Sequence, residues 1–211
     1  YPLNEFRVAW NFGGQPIVAR LQDKLHSWGC DGLRALIPNT IVQGLLGYAY
    51  CCPDMVGGGD IGSFDAGQSI DQELVVRWAQ ASACMGMMQI SVSPWRVLSV
   101  ENAALVMEAV DLHMELADEI CRLAEHAKTT GEPIVRSLAY VFPNEGLELE
   151  SDSFMLGDDL LVCPVLDKGA VRKTIHLPAG RWRSWRGELL EGGCYVTFDI
   201  GLCDIPRFRK I

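Results

Sequence analysis

Three polar side chains fall at or near the ends of apolar runs in the first half of the chain. Arg20 follows Pro16-Ile17-Val18-Ala19, Asp54 follows the run from Tyr48 to Pro53, and Gln89 lies within Met87 to Ser91. A guanidinium at a strand end can hold a neighbouring carboxylate ionised and donate several hydrogen bonds, although an ion pair with nearby Asp23 is an equally simple use. Asp54 precedes Gly57-Gly58-Gly59, so it either orients another group or caps a turn. A further carboxylate, Asp31, closes the stretch His26-Ser27-Trp28-Gly29-Cys30-Asp31. Aspartate caps helices well, and a carboxyl kept protonated by its surroundings can donate a proton. Trp28 and Trp95 could present apolar faces to a ligand in the same region, or pack in the core. The four histidines form no metal set, and none of the eight cysteines forms a CxxC pair or another zinc spacing.

The elements that would position these groups follow from periodicity. Pro16–Arg20 and Tyr48–Pro53 read as short buried strands, and Met87–Ser91 as a third. Gly32–Leu46 carries Leu33, Leu36, Ile37, Ile41, Leu45 and Leu46 at helical spacing, with Pro38 as an irregularity. Asp71–Met85 reads as a helix that Asp71 can cap, and Glu101–Lys128 as one long helix ended by Thr129-Thr130-Gly131 and Pro133. Strand and helix in alternation predict part of a parallel α/β barrel, in which chemistry gathers at the carboxyl ends of the strands. From Ser137 onward short β-rich runs (Ser137–Phe142, Asp159–Leu166, Thr174–Leu177, Tyr195–Ile200) alternate with turns at Pro178-Ala179-Gly180 and Glu191-Gly192-Gly193. The expected organisation is an α/β class chain: half of a (β/α)8 barrel over residues 1–136, then an all-β sandwich without helices over 137–211.

The chain has 211 residues, 49% of them hydrophobic, enough for a sizeable core. The formal charge of −9, with no long basic run, argues against a nucleic-acid or anionic-membrane surface. No run of eighteen apolar residues is present, and the first ten residues lack the pattern of a signal peptide. Most cysteines sit in apolar runs, which predicts buried free thiols and a cytoplasmic setting.

The motifs carry the reading further. Gly131-Glu132-Pro133-Ile134-Val135-Arg136, then Phe154-Met155-Leu156-Gly157-Asp158-Asp159-Leu160-Leu161-Val162-Cys163-Pro164-Val165, then Leu177-Pro178-Ala179-Gly180-Arg181-Trp182, resemble three linked motifs of glycoside hydrolase family 31. His26–Asp31, Pro53–Gly58 and Glu73-Leu74-Val75-Val76-Arg77-Trp78-Ala79-Gln80 are similar to segments of the same family. The resemblance implies a retaining α-glycosidase without a cofactor or metal, acting on a carbohydrate. It implies Asp31 as acid/base, with Arg20 and Asp54 near the sugar and Trp28, Gln89 and Trp95 as further substrate contacts. Where the family's α-glucosidases carry R-N-H, this chain has Gln89-Ile90-Ser91 inside Met88-Gln89-Ile90-Ser91-Val92-Ser93-Pro94-Trp95-Arg96, which implies another glycon, a galactoside being the first choice. In the resembled family the nucleophile lies on the preceding barrel strand, and Glu5, in a polar stretch, is no substitute. The chain is therefore expected to be a carboxyl-terminal fragment whose partner is the other half of its own barrel. A non-catalytic binding or interaction remnant is the alternative, and the β domain is expected to support the barrel without binding sugar itself.

Overall fold

The computed structural model describes residues 5–7, 13–15, 17–64 and 69–211. Pro16, where the first strand is expected to begin, lies outside the described residues.

Two groups of short parallel strands carry the first half. Strand β1 (Glu5–Phe6) pairs with β2 (Val18–Arg20), which pairs with β3 (Cys51–Cys52). Strand β4 (Met55–Val56) pairs with β5 (Gln89–Ile90), Met55 opposite Gln89. Between β2 and β3 a 3-10 turn at Leu33–Ala35 leads into helix α1 (Leu36–Leu45). Pro38 stands in the first turn of α1, where its missing N–H leaves nothing unpaired, so it does not distort the helix as expected. Helix α2 (Gln72–Ala83) starts where expected, with the Asp71 side chain accepting from the Leu74 N–H. A one-turn helix α3 (Pro94–Val97) precedes α4 (Val100–Glu115). The long helix expected over 101–128 is two, α4 and α5 (Ala117–Thr130), joined at Leu116, and α5 ends on Gly131 at φ 77°. That left-handed position suits a residue without a Cβ.

The second half is built on one six-stranded antiparallel sheet in the order β11-β10-β13-β8-β7-β6. Its strands are β6 (Val135–Arg136), β7 (Phe154–Leu156), β8 (Leu160–Val162), β10 (Arg181–Ser184), β11 (Leu189–Glu191) and β13 (Arg207–Lys210). A separate antiparallel ribbon joins β9 (Arg172–Leu177) to β12 (Cys194–Asp199). Ser137–Phe142, expected as a strand, instead forms the one-turn helix α6 (Leu138–Val141), because the Ser137 hydroxyl accepts from the Tyr140 N–H at 3.2 Å and caps it. The chain is thus of mixed helix and sheet. Strand β6, in the family motif before residue 137, pairs with β7 across that boundary, Val135 opposite Leu156.

Burial explains why β7 and β8 read as unbroken apolar runs. Phe154, Leu156, Leu160 and Val162 belong to a core shared with α1, α2 and α4. Met155, Leu161 and Cys163 point the other way, into a second core with Ile175, Leu177, Trp182 and Phe208. With both faces covered, the usual apolar–polar alternation of an antiparallel strand has no solvent face to express. Four of the cysteines, Cys51, Cys52, Cys84 and Cys163, are buried as expected, but Cys30, Cys121, Cys194 and Cys203 are exposed. No helix among the described residues is long and apolar enough to cross a membrane.

The motif residues stitch the halves together. Glu73, Arg77 and Gln80 share one face of α2 at spacings of four and three. Glu73 accepts from the Gly169 N–H at 2.9 Å. Arg77, 1% exposed, donates to the Asp204 and Gly201 carbonyls at 3.1 Å each and to Gln80 Oε1 at 3.0 Å. Gln80 in turn donates to the Leu202 carbonyl at 2.6 Å. Arg209 of β13 grips Glu119 of α5 through two bonds of 2.7 Å. Buried Arg136 holds the Pro133 carbonyl, Glu132 and Asp158. Trp182 donates to the Pro178 carbonyl at 2.8 Å, and a Cβ on Gly192 would lie 1.9 Å from that oxygen, which is why the turn needs glycine. Replacing buried Arg77 by alanine removes the donor to the Gly201 and Asp204 carbonyls and to Gln80 and leaves a cavity, so Arg77→Ala should cost about 3 kcal/mol in urea denaturation, and a variant as stable as the parent would contradict this role.

Candidate active site

The register of β2 against β3, Arg20 opposite Cys52, brings the two strand ends side by side. Asp54 follows two residues after β3 and is fully buried, with its backbone at φ 100°. Few residues other than glycine accept such a φ, and aspartate is among the tolerant ones. The reversed torsion turns the chain into β4. The carboxylate accepts from Arg20 Nη1 at 2.6 Å and from the backbone N–H groups of Lys24 at 2.8 Å and Gly59 at 3.1 Å. Gly59 is there for closeness, since a Cβ would sit 2.6 Å from Asp54 Oδ1. Burial pushes the neighbouring Lys24 amine down from its ordinary range, and the Asp54 charge works against that shift.

Arg20, with its side chain 9% exposed, is the hub. Besides Asp54, its Nε meets Glu5 at 2.8 Å and its Nη1 meets Asp23 at 3.1 Å. The ion pair with Asp23 and the contact with Asp54 therefore coexist. Asp23 also pairs with Arg7. Partial burial alone would raise the Asp23 carboxyl, but Arg7 and Arg20 outweigh it and hold the group below the usual carboxylate range. Gln89 of β5 donates to Glu5, and so joins the same network from the opposite side.

Asp31 is exposed and accepts from the Ser27 hydroxyl. It caps no helix: Gly32 stands at the start of the 3-10 turn, with no side-chain cap bond. Its loop is nevertheless tied to the Arg20–Asp54 pair. The Lys24 N–H is bonded to Asp54, and the next N–H, of Leu25, donates to the Asp31 carbonyl at 2.9 Å. His26 fastens the loop from below, its Nε2 accepting from the Asp71 N–H at 3.0 Å. The proton must then sit on Nδ1, which donates to the Gly57 carbonyl at 2.7 Å. Trp28 donates its indole N–H to Asp71 at 2.9 Å while its ring packs on the first core. Trp95 lies on α3, 58% exposed, and makes no hydrogen bond to this network among the described residues.

The structure thus joins Arg20 to Asp54 directly, brings in Gln89 through Glu5, connects Asp31 and Trp28 through one loop, and leaves Trp95 apart. Glu5 and Asp23 are the residues that sequence reasoning did not choose for the site. Asp23 was legible as a partner of Arg20 at a spacing of three. Glu5 was not, because only the pairing of β1 with β2 brings it there.

Comparison with known proteins gives the carboxyl-terminal part a family. Residues 131–210 match the glycosyl hydrolase family 31 C-terminal domain. That match places residues 131–210 in glycosyl hydrolase family 31. The chain is 38% identical over 198 residues to the myogenesis-regulating glycosidase of Mus musculus, covering 90% of this chain and 28% of that protein. It is 28% identical over 201 residues to the SITS-binding protein of Tetronarce californica, covering 92% of this chain and again 28% of the relative. The chain therefore spans under a third of the length of these curated relatives. Among solved structures, the cycloalternan-degrading enzyme from Trueperella pyogenes matches all of this chain and 31% of its own, with a TM-score of 0.88 and 25% identity. The same enzyme in complex with a covalent intermediate or with isomaltose matches with a TM-score of 0.87.

Two outcomes test the electrostatics of the site. Asp54→Ala leaves Arg20 and two N–H groups short of an acceptor and puts alanine at a positive φ, so it should cost about 3–5 kcal/mol in denaturant melts. Asp54→Asn, which tolerates the torsion and keeps an acceptor, should cost less. Asp71 supplies the pH dependence. Burial opposes its ionisation, but bonds from Lys168, Trp28 and Leu74 and the Lys168 charge outweigh burial and hold the carboxyl below its ordinary range. A depressed carboxyl stabilises the fold above its unfolded pKa and loses that contribution as pH falls through the folded value. Asp71→Asn should therefore be less stable than the parent at pH 7, with the gap closing below about pH 4 in thermal melts across pH.

Proposed function

We propose that this chain forms the proton-donor side of a retaining α-glycosidase site, within a protein of the length its relatives have. Asp31 is the acid/base, Arg20 contacts the glycon, and buried Asp54 positions Arg20. The observation that carries the reading is the bonded path from Arg20 through Asp54 and the Lys24–Leu25 backbone to Asp31, at the ends of parallel strands. Retaining glycosidases place two carboxyl groups about 5 Å apart, one attacking the anomeric carbon and one protonating the leaving oxygen. Asp31, exposed on its anchored loop, is free to meet a leaving group, whereas buried Asp54 is spent on Arg20 and backbone donors. On this reading β1 to β5 belong to a (β/α)8 barrel, and the nucleophile comes from a barrel strand outside this sequence. The relatives that hold a covalent intermediate or isomaltose support a carbohydrate substrate. Gln89, a neutral amide engaged by Glu5, supports a glycon other than glucose.

A second reading has one specific support. The SITS-binding relative is named for binding, and in this chain Glu5 already occupies the Arg20 Nε and Gln89. A non-catalytic binding protein on the same scaffold would look so.

Assays on the protein expressed at the length of its relatives decide between them. With disaccharide substrates, Asp31→Asn should lower kcat by about 10²–10⁴-fold. With an aryl α-glycoside, whose leaving group needs little protonation, the loss in the glycosylation step should be much smaller. Equal loss on both substrates, or none, would reject Asp31 as the proton donor. No hydrolysis by the parent of any α-glucoside or α-galactoside would favour the binding protein.

A further inference from the structure

The β ribbon carries an aromatic surface that the family motifs do not account for. Tyr195 of β12 is 66% exposed, yet its ring stacks on His176 of β9, with centroids 4.4 Å apart and planes 19° from parallel. The register sets this pair directly opposite across the ribbon. An exposed tyrosine held flat by a partner ring loses little freedom when a ligand covers it, and it offers both an apolar face and a hydroxyl.

The pair lines a cleft of about 390 Å³ between the ribbon and residues 149–153. That volume lies in the range of ligand sites, but the lining is mainly polar rather than apolar. Hydroxyls come from Ser151 and Thr174, and the charges of Arg34 and Lys173 are offset by those of Glu150 and Asp152. A cleft with balanced charge has little reason to select an anion or a cation. Hydroxyl and carboxylate groups around a fixed aromatic face match instead a neutral molecule with one apolar face and many hydroxyls.

The cleft is also tied to the donor loop. Arg34, three residues after Asp31, pairs with Asp152 at 3.7 Å and also bonds Asp167, so the wall of the cleft is anchored to the 3-10 turn that follows the donor. From these observations we propose that the cleft is a second carbohydrate site, in which Tyr195 stacks on a sugar ring of a neutral oligosaccharide. This replaces the expectation that the β domain binds no sugar. The choice of sugar over other neutral polyols rests on the glycosidase reading above.

The test is calorimetric titration of the chain with isomaltotriose and, separately, with an α-galactotriose, for the parent, Tyr195→Ala, Tyr195→Phe and Asp31→Asn. Tyr195→Ala should weaken binding of at least one trisaccharide by tenfold or more. Tyr195→Phe should retain most of the affinity, and Asp31→Asn should leave it within twofold. The exposed position of Tyr195 makes unfolding avoidable, and matching thermal melts would verify that. Unchanged affinity in Tyr195→Ala, or no binding of either trisaccharide by the parent, would overturn the second site. Affinity lost in Asp31→Asn but kept in Tyr195→Ala would place the sugar at the donor loop, overturning the cleft while leaving the glycosidase reading in force.

Discussion

A carboxylate taken wholly out of water must be met by donors, and Asp54 sets that demand at the heart of the first half. Its two oxygens draw in a guanidinium from β2, an N–H from the loop after β2 and an N–H from the loop after β4. Burial without these partners would cost several kcal/mol, so the loops are not free to wander. The positive φ at Asp54 is a second, smaller cost met by the same network. What results is rigid placement of a loop that carries an exposed carboxyl at its far end.

The six-stranded sheet imposes the other constraint. Because one of its faces seals the helical core and the other seals the ribbon, neither half can complete its packing without the other. The family motifs record this dependence more than they record chemistry. Glu73, Arg77 and Gln80 hold the 169 and 201–204 loops, Arg136 ties its own strand to the following turn, and Trp182 locks the turn before β10. Strong sequence signatures here mark places where buried polar groups have few alternative partners.

The fold was legible where local physics suffices. Asp71 announced the start of α2, glycine the end of α5, and apolar runs the positions of β2, β3 and β8. Ser137–Phe142 misled because a capping serine outweighed the β-forming residues after it, and the shared sheet was hidden because full burial erases period-two patterning. For the site, residue type and strand-end position pointed to Arg20, Asp54 and Gln89, and family motifs added Asp31. Glu5 could not be read from spacing, since it enters only through a parallel pairing across more than ten residues. The Tyr195–His176 stack was equally invisible, because its two members lie nineteen positions apart and meet only through the ribbon register.

The seam between the halves has an unusual grammar: on the carboxyl-terminal side, Arg77 and Gln80 address backbone oxygens, at Gly201, Leu202 and Asp204. Backbone oxygens are present whatever side chains stand there. Residues 201 and 202 can therefore drift among homologues while the joint persists, so long as the loop keeps its path. Correlated substitution, the usual trace of contact between segments, would be faint at those positions. Divergent carboxyl-terminal domains could then be exchanged behind a constant arginine and glutamine, with the path of one loop, more than its composition, deciding whether the graft holds.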